Sequence, residues 1–246
     1  MLEIGPDPAG DALRMGFAGS RSRPNQALAG LGRNVFDTDA PIVQIADDLK
    51  HDATLRRMLR QNPGVRVPGA WDGFELTVRA ILGQQISVKA ATTLAGRIAD
   101  RYGERANLPA AAGGVGLNRM FPTPRRLMRA HFKGIGIVRS RIDTIRRVSS
   151  AVASGELVFD GSRARDEVCN VLLSIRGVGD WTVQYVAMRA LRDPDAFPRS
   201  DLGLISAVAH PDRVTPKALG ERAEGWRPWR AYAAMLLWGS LAGSGG

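Results

Sequence analysis

A tight hairpin between two apolar helical runs constrains the fold of this chain more than any other sequence feature. The first run ends at Gly177-Val178-Gly179. The second run has four large apolar residues spaced by three or four positions, and therefore on one helical face, namely Trp181, Tyr185, Met188 and Leu191. Two glycines one residue apart permit a tight turn that leaves backbone N–H groups uncovered. Such groups at a helix N-terminus suit an anion, for example a phosphate.

The hairpin has the pattern Ile-x-Gly-Val-Gly-x-Trp-Thr, which ends at Thr182. This is the helix–hairpin–helix pattern, which binds a DNA backbone without reading bases, although a glycine pair alone is more often an ordinary turn. With the aromatic second helix and the later Asp201, the segment resembles the helix–hairpin–helix glycosylase superfamily, and within it the bacterial 3-methyladenine DNA glycosylase II family. The segments FDTDAP (36–41), PGVRVPG (63–69) and WRPWRAYAAMLLW (226–238) also resemble that family.

The resemblance covers about residues 35 to 240 and implies a mainly α fold, in which two helical lobes enclose a cleft. We assign residues 73–195 to lobe one, and residues 35–72 with 196–240 to lobe two, within a helical glycosylase core over 35–246. Residues 1–34 are rich in Gly, Pro, Ala and Arg and have little sustained periodicity, which predicts a poorly packed lead-in. Family members commonly carry a mixed α/β domain before the core, so this lead-in looks like its truncated or degenerate remnant.

The longest helical section runs from residue 71 to 102 and is interrupted at Gly83. The interruption contains two adjacent amides, Gln84 and Gln85, which would be unremarkable as solvated turn residues. In the resembling family this loop enters the duplex and fills the gap left by an extruded base. The resemblance gives Gln85 the position of that wedge. Where the wedge is leucine it is apolar, whereas Gln85 could hydrogen-bond the orphaned partner base.

The charge of the chain favours a polyanionic partner. The net charge is +10, and residues 119–147 contain nine lysines and arginines against one acidic residue. Such a run is often a solvated face, so a role in phosphate contact and a role in solvation both stay open. No apolar run approaches the roughly 20 residues of a membrane span, and no secretory signal opens the chain. We therefore expect a cytoplasmic, nucleoid-associated protein that does not bind membranes.

The single cysteine, Cys169, excludes an internal disulfide and a cysteine-bound metal cluster. We therefore expect no metal ligands among the side chains and no cofactor. The resemblance leaves room for a monovalent cation between hairpin carbonyls and a DNA phosphate.

The resemblance also assigns the residues that would carry base excision. Asp201 matches the catalytic aspartate, because a carboxylate can stabilise an oxocarbenium-like transition state and orient a water; the alternative is a plain helix N-cap. Trp181, Tyr185 and Trp238 match the base pocket, whose electron-rich rings attract a cationic alkylated purine by about 0.5–2 kcal/mol. Leu202 stands where some members have a further aromatic wall. The residues expected to contact DNA are Gln84, Gln85, Gly177, Val178, Gly179 and Thr182.

The resemblance predicts a monofunctional, monomeric DNA glycosylase that excises alkylated bases from double-stranded DNA and so initiates base excision repair. Bifunctional members carry a lysine just after the hairpin, where this chain has Trp181. A DNA lyase for oxidised bases is therefore disfavoured. A non-catalytic helix–hairpin–helix DNA-binding or damage-sensing protein is the alternative from another class, and it would need neither Asp201 nor a competent pocket.

Overall fold

The computed structural model describes residues 2–8, 13–17, 26–106, 118–208 and 214–242. Within these ranges the chain forms two short strands and twelve α-helices, so the predicted mainly helical fold is confirmed. The elements are β1 (Leu2–Pro6), β2 (Leu13–Phe17), α1 (Gln26–Phe36), α2 (Ile42–Leu49), α3 (Ala53–Gln61), α4 (Gly73–Gly83), α5 (Val88–Tyr102), α6 (Pro124–Met128), α7 (Arg139–Ser154), α8 (Arg165–Ser174), α9 (Asp180–Arg189), α10 (Leu202–Val208), α11 (Pro216–Ala223) and α12 (Arg230–Ala242).

The N-terminal segment is more regular than its composition suggested. Strands β1 and β2 pair antiparallel, with Leu2 opposite Phe17 and Pro6 opposite Leu13. Helix α1 then continues past residue 34, so the boundary placed there falls inside a helix. Strands of five residues are too short to give a clear alternation of apolar and polar residues, so the sequence pattern did not predict them. Residues 9–12 and 18–25 of the lead-in lie outside the described ranges.

Two hydrophobic cores hold the helices together, and α9 belongs to both. The first core gathers buried residues of α4, α5, α7, α8 and α9, including Val183 and Val186. The second gathers α2, α3, α11 and α12 around the other side of α9, including Ala187 and Met188. Because one helix supplies adjacent residues to both cores, the assignment of whole segments to one lobe or the other stays a prediction.

The turn between α8 and α9 depends on a glycine at position 177 for two separate reasons. The backbone of Gly177 has φ +97°, a conformation that side-chain-bearing residues rarely adopt. A Cβ atom there would also lie 1.9 Å from Thr144 Oγ1 of α7. Gly179 differs, because its φ is −106° and a Cβ would meet no atom within 4 Å. Of the two hairpin glycines, Gly177 is therefore required by the fold and Gly179 is not.

Within the part of the chain that the structure describes, no helix has the length and apolar character that crossing a bilayer requires.

The two hairpin glycines should consequently differ in their effect on stability. Replacement Gly177→Ala is expected to lower the free energy of unfolding, because the left-handed backbone costs about 1–2 kcal/mol and crowding against Thr144 adds about 1–3 kcal/mol. Gly179→Ala, the matched control, should change it by about 0.5 kcal/mol or less. Urea unfolding of both variants measures the difference, and equal stabilities would contradict it.

Candidate functional site

A cleft with a volume of about 980 Å³ opens between the α4–α5 loop, the hairpin and the start of α10. Helix α7 supplies a further wall through Ser140, Arg141 and Thr144. The cleft brings together most of the residues that the sequence singled out, namely Gln84, Gln85, Gly177, Gly179, Trp181, Thr182, Asp201 and Leu202. These residues come from three separate parts of the chain, so the tertiary fold assembles the site.

The carboxylate of Asp201 accepts three hydrogen bonds from three different elements. Its Oδ1 atom accepts from the backbone N–H of Leu204 at 2.9 Å and from Trp238 Nε1 at 2.9 Å. Its Oδ2 atom accepts from Trp181 Nε1 at 2.8 Å. The bond from Leu204 shows that Asp201 caps α10, as the structural alternative predicted. The cap does not exclude chemistry, because it fixes the same carboxylate in the wall of the cleft.

The aromatic side chains beside Asp201 form a continuous surface. Trp181 and Tyr185 are stacked, with ring centroids 5.2 Å apart and planes 10° from parallel. Tyr185 meets Trp238 edge to face at 6.3 Å. All three are partly exposed, but Tyr185 and Trp238 also pack against the second core, and of the three only Trp181 lines the cleft. A planar cationic group in the cleft would meet the Trp181 ring beside the Asp201 carboxylate.

Leu202 does not close the cleft. It follows Asp201 at the start of α10 and is 79% exposed, so it projects into solvent. The side of the cleft next to the carboxylate is therefore open, and a bulky group entering there would meet little steric resistance.

The N-terminus of α9 faces the cleft with its amides available. Gly179 is the N-cap residue of α9 and has no side chain to satisfy the first N–H groups. Space around Gly179 is open, so an anion can approach the backbone closely. Val178, which the sequence predicted to contact DNA, is not available for that contact. Its side chain is buried in the first core, and its N–H donates to Ile175 O at 2.9 Å.

The loop between α4 and α5 uses its two amides differently. Gln85 is exposed and lies in the cleft wall with φ +58°. The side chain of Gln84 turns inward and donates from Nε2 to Gly177 O at 3.2 Å and to Thr182 Oγ1 at 3.0 Å. Thr182 is 1% exposed and therefore acts through this internal contact. The structure thus presents Gln85, and not Gln84 or Thr182, to an incoming ligand.

The basic run over residues 119–147 is largely engaged within the protein. Some of its arginines pair with acidic side chains, as in Arg139 with Asp143 and Arg126 with Glu104. Others donate to backbone carbonyls, as in Arg146 to Ala130 O, Arg141 to Gln84 O and Arg147 to Arg176 O. Arg141 and Arg147 lie beside the loop and the hairpin, so the part of the run nearest the cleft also shapes it.

Sequence reasoning missed two residues that support the site. Arg141 was only one of nine basic residues in a run, and nothing in the spacing distinguished it. Arg189 contacts Tyr185 twice, with its guanidinium carbon 5.7 Å from the ring centroid and its Nη1 donating to the hydroxyl at 3.3 Å. Its Nε also donates to Pro68 O, which ties the aromatic stack to the segment before α4. The position of Arg189 one helical turn after Tyr185 was the available signal.

Metal-binding side chains do not cluster in the described ranges. No group of three or more His, Cys, Asp or Glu side chains there could hold a metal ion. Cys169 is partly buried at the contact of the two cores, and this burial raises the pKa of its thiol. The thiol is therefore protonated near neutral pH and is a poor nucleophile.

Comparison with known proteins identifies two family models in the chain. The model described as HhH-GPD superfamily base excision DNA repair protein matches residues 78–230, and the AlkA N-terminal domain model matches residues 1–72. The first match contains the loop, the hairpin and Asp201. The second extends beyond the lead-in through α1, α2 and α3. The predicted family is confirmed by these matches.

The proteins similar to the chain include two curated relatives and one solved structure, as follows. A probable bifunctional transcriptional activator/DNA repair enzyme AlkA of Mycobacterium tuberculosis is 37% identical over 210 residues, which are 85% of this chain and 42% of that protein. The DNA-3-methyladenine glycosylase 2 of Escherichia coli is 34% identical over 191 residues, 76% of this chain and 64% of that protein. The chain thus spans less than two thirds of either relative. The 3-methyladenine DNA glycosylase from Archaeoglobus fulgidus shares the fold, with a TM-score of 0.72 at 22% identity, over 92% of this chain and 77% of that one.

Proposed function

Because the chain belongs to the HhH-GPD superfamily of base excision DNA repair proteins, we propose that it is a DNA glycosylase that excises alkylated bases of the 3-methyladenine type from duplex DNA. The observation that carries this proposal is the placement of Asp201. Its carboxylate is held by two indole N–H groups and one backbone N–H, in the wall of a cleft that the hairpin borders. A protein that only bound DNA could use this carboxylate as the cap of α10, but its negative charge in the wall of the cleft would repel phosphates.

Binding begins at the phosphate backbone. The N-terminus of α9 presents unpaired N–H groups to a phosphate, a contact that carries no sequence information. The net charge of +10 supports the same partner. The exposed Gln85 then enters the base stack, while the damaged nucleotide rotates into the cleft.

The aromatic surface receives the extruded base. Alkylated purines carry positive charge, and a ring such as that of Trp181, which lines the cleft, attracts a cation by about 0.5–2 kcal/mol. The charge also makes the base a good leaving group, so a loosely fitting pocket still discriminates damaged from normal bases. The open side at Leu202 supports acceptance of alkylated bases of more than one size.

The carboxylate of Asp201 then acts on the sugar. As the bond between C1′ and the base nitrogen breaks, positive charge develops on the sugar, and a fixed negative charge nearby stabilises it. The three N–H donors hold the carboxylate in position before the reaction, so little reorganisation accompanies the charge development. The carboxylate can also orient the water that attacks C1′.

Hydrolysis by water is preferred over attack by an amine. Trp181 occupies the position after the hairpin where bifunctional enzymes of this superfamily carry lysine, and among the described residues lining the cleft there is no lysine. The proposed product is therefore an abasic site in an unbroken strand.

The catalytic proposal is tested by Asp201→Asn. The amide retains an acceptor oxygen for the helix cap but removes the negative charge, so single-turnover base release should fall by roughly 100-fold or more. Affinity for damaged duplex should change by about threefold or less, because the phosphate contacts are untouched. Asp100→Asn, which alters an exposed carboxylate of α5 outside the cleft, is the control and should excise like the parent. Near-parental release by Asp201→Asn would refute the assignment, and tight binding without release by the parent would favour a damage sensor.

The reaction class is tested by the state of the product strand. After incubation with a duplex carrying one alkylated base, the strand should remain intact until alkali is added, because no amine attacks C1′. Borohydride added during the reaction should trap no protein–DNA adduct. A trapped adduct together with nicking before alkali would show a lyase.

The proposed contact between the hairpin N–H groups and a DNA phosphate, here called the hairpin grip, is tested at Gly179 alone, because Gly177 is also needed for the fold. A methyl group at Gly179 meets no protein atom but projects into the space that a phosphate would occupy. Gly179→Ala should therefore weaken binding to damaged and undamaged duplexes by a similar factor, while base release at saturating enzyme changes little. Fluorescence anisotropy across a salt titration measures the binding. If the folded variant bound DNA with unchanged affinity, the phosphate contact would have to be assigned to the basic run over residues 119–147 and not to the hairpin.

A further inference from the structure

The loop that carries Gln85 is tied to the hairpin by a side chain. Gln84 Nε2 donates to Gly177 O at 3.2 Å and to Thr182 Oγ1 at 3.0 Å. These contacts join segments that lie more than 90 residues apart in the chain, and all three residues line the cleft. Since Thr182 is buried, the loop is fixed against a part of α9 that cannot move independently.

Helix α7 forms hydrogen bonds with both the α4–α5 loop and the hairpin. Arg141 Nη2 donates to Gln84 O at 2.6 Å. In the hairpin, Arg176 O accepts from Arg147 Nη1 of α7 at 3.4 Å, and it shares the single hydroxyl hydrogen of Thr144 (3.2 Å) with Ser140 O (3.0 Å). The loop and the hairpin are thus each bonded to α7 and bonded to one another, and the three form a closed set of contacts.

The bond from Arg141 bears directly on the conformation of Gln85. The carbonyl of Gln84 and the N–H of Gln85 belong to one planar peptide group. A bond that fixes this carbonyl therefore fixes the plane from which φ of Gln85 is measured. That φ is +58°, in the left-handed region, which a residue with a side chain occupies only when its surroundings impose it.

We infer that Gln84 and Arg141 are positioning residues, which hold Gln85 in its left-handed conformation and so keep its side chain ready to enter the duplex. The inference rests on the proposed function, because it takes Gln85 as the group that enters the base stack. Its consequence is that the hairpin grip and the inserting residue act as one rigid unit. The ordering of the loop is completed on folding and does not have to accompany DNA binding.

Insertion can be measured without base release. A duplex with a tetrahydrofuran abasic analogue opposite 2-aminopurine has no base to excise, and its fluorescence rises when a side chain displaces the 2-aminopurine from the stack. Gln84→Ala and Arg141→Met should each slow this rise by about tenfold, because Gln85 must then be ordered during binding. Affinity for undamaged duplex should stay within about twofold of the parent, since the hairpin amides remain.

Matched variants separate positioning from a general loss of structure. Gln84→Glu keeps the size of the side chain, but its carboxylate cannot donate to Gly177 O, so it should behave like Gln84→Ala. Arg97→Met removes a bond of the same kind, from Arg97 Nη1 to Ile135 O at 3.0 Å, outside the cleft. It should insert like the parent. A cooperative thermal melt establishes that each variant is folded.

A double-mutant cycle with Gln85→Ala decides the inference. If Gln84 and Arg141 act through Gln85, their replacement in the Gln85→Ala background should change the fluorescence rate by about twofold or less. The inference would be overturned if the double variants lost rate by the product of the two single losses. An unchanged fluorescence rate in Gln85→Ala itself would also overturn it. A matching loss of undamaged-duplex affinity in Arg141→Met would make Arg141 a phosphate contact instead. Base release by the parent is assayed separately, so a failure of the proposed glycosylase activity is distinguishable from a failure of this inference.

Discussion

Helix α9 packs against both hydrophobic cores at once, with Val183 and Val186 on one side and Ala187 and Met188 on the other. A helix of ten residues held on two sides has little freedom to shift or rotate. Its N-terminus is consequently a fixed point, and the hairpin, Trp181 and Tyr185 take their positions from it. The remaining parts of the cleft are placed relative to this helix by apolar packing and by hydrogen bonds.

The polar contacts of the cleft connect elements that also meet in the two apolar cores. Asp201 joins the start of α10 to Trp181 of α9 and Trp238 of α12, and Gln84 joins the α4–α5 loop to the hairpin. In both cases a single side chain satisfies donors or acceptors on different elements. Loss of one such group leaves partly buried partners unpaired, which costs more than the bond itself. The same contacts therefore support the fold and orient the groups proposed to act on DNA.

The helix cap that Asp201 forms and the catalytic role proposed for its carboxylate are compatible. The cap uses Oδ1, and the indole of Trp181 fixes Oδ2, so the conformation that stabilises α10 is the one that presents charge to the cleft. Whereas Asp201 combines a structural role with a proposed functional role, Gly177 and Gly179 have one of these roles each. Gly177 is needed because Thr144 and a left-handed backbone leave no room for a side chain, whereas Gly179 leaves open space on the ligand side.

The sequence by itself determined the helical class, the position of the hairpin, the common face of Trp181 and Tyr185, and the family, because spacing within a helix fixes which residues share a face. It did not determine that Gln84 turns inward, that two indoles bond to Asp201, or that Arg141 fixes the loop. Trp238 and Asp201 are 37 residues apart and Gln84 and Gly177 are 93 apart. Contacts over such separations depend on how α4, α7, α9 and α12 pack, and only the tertiary structure decides that packing.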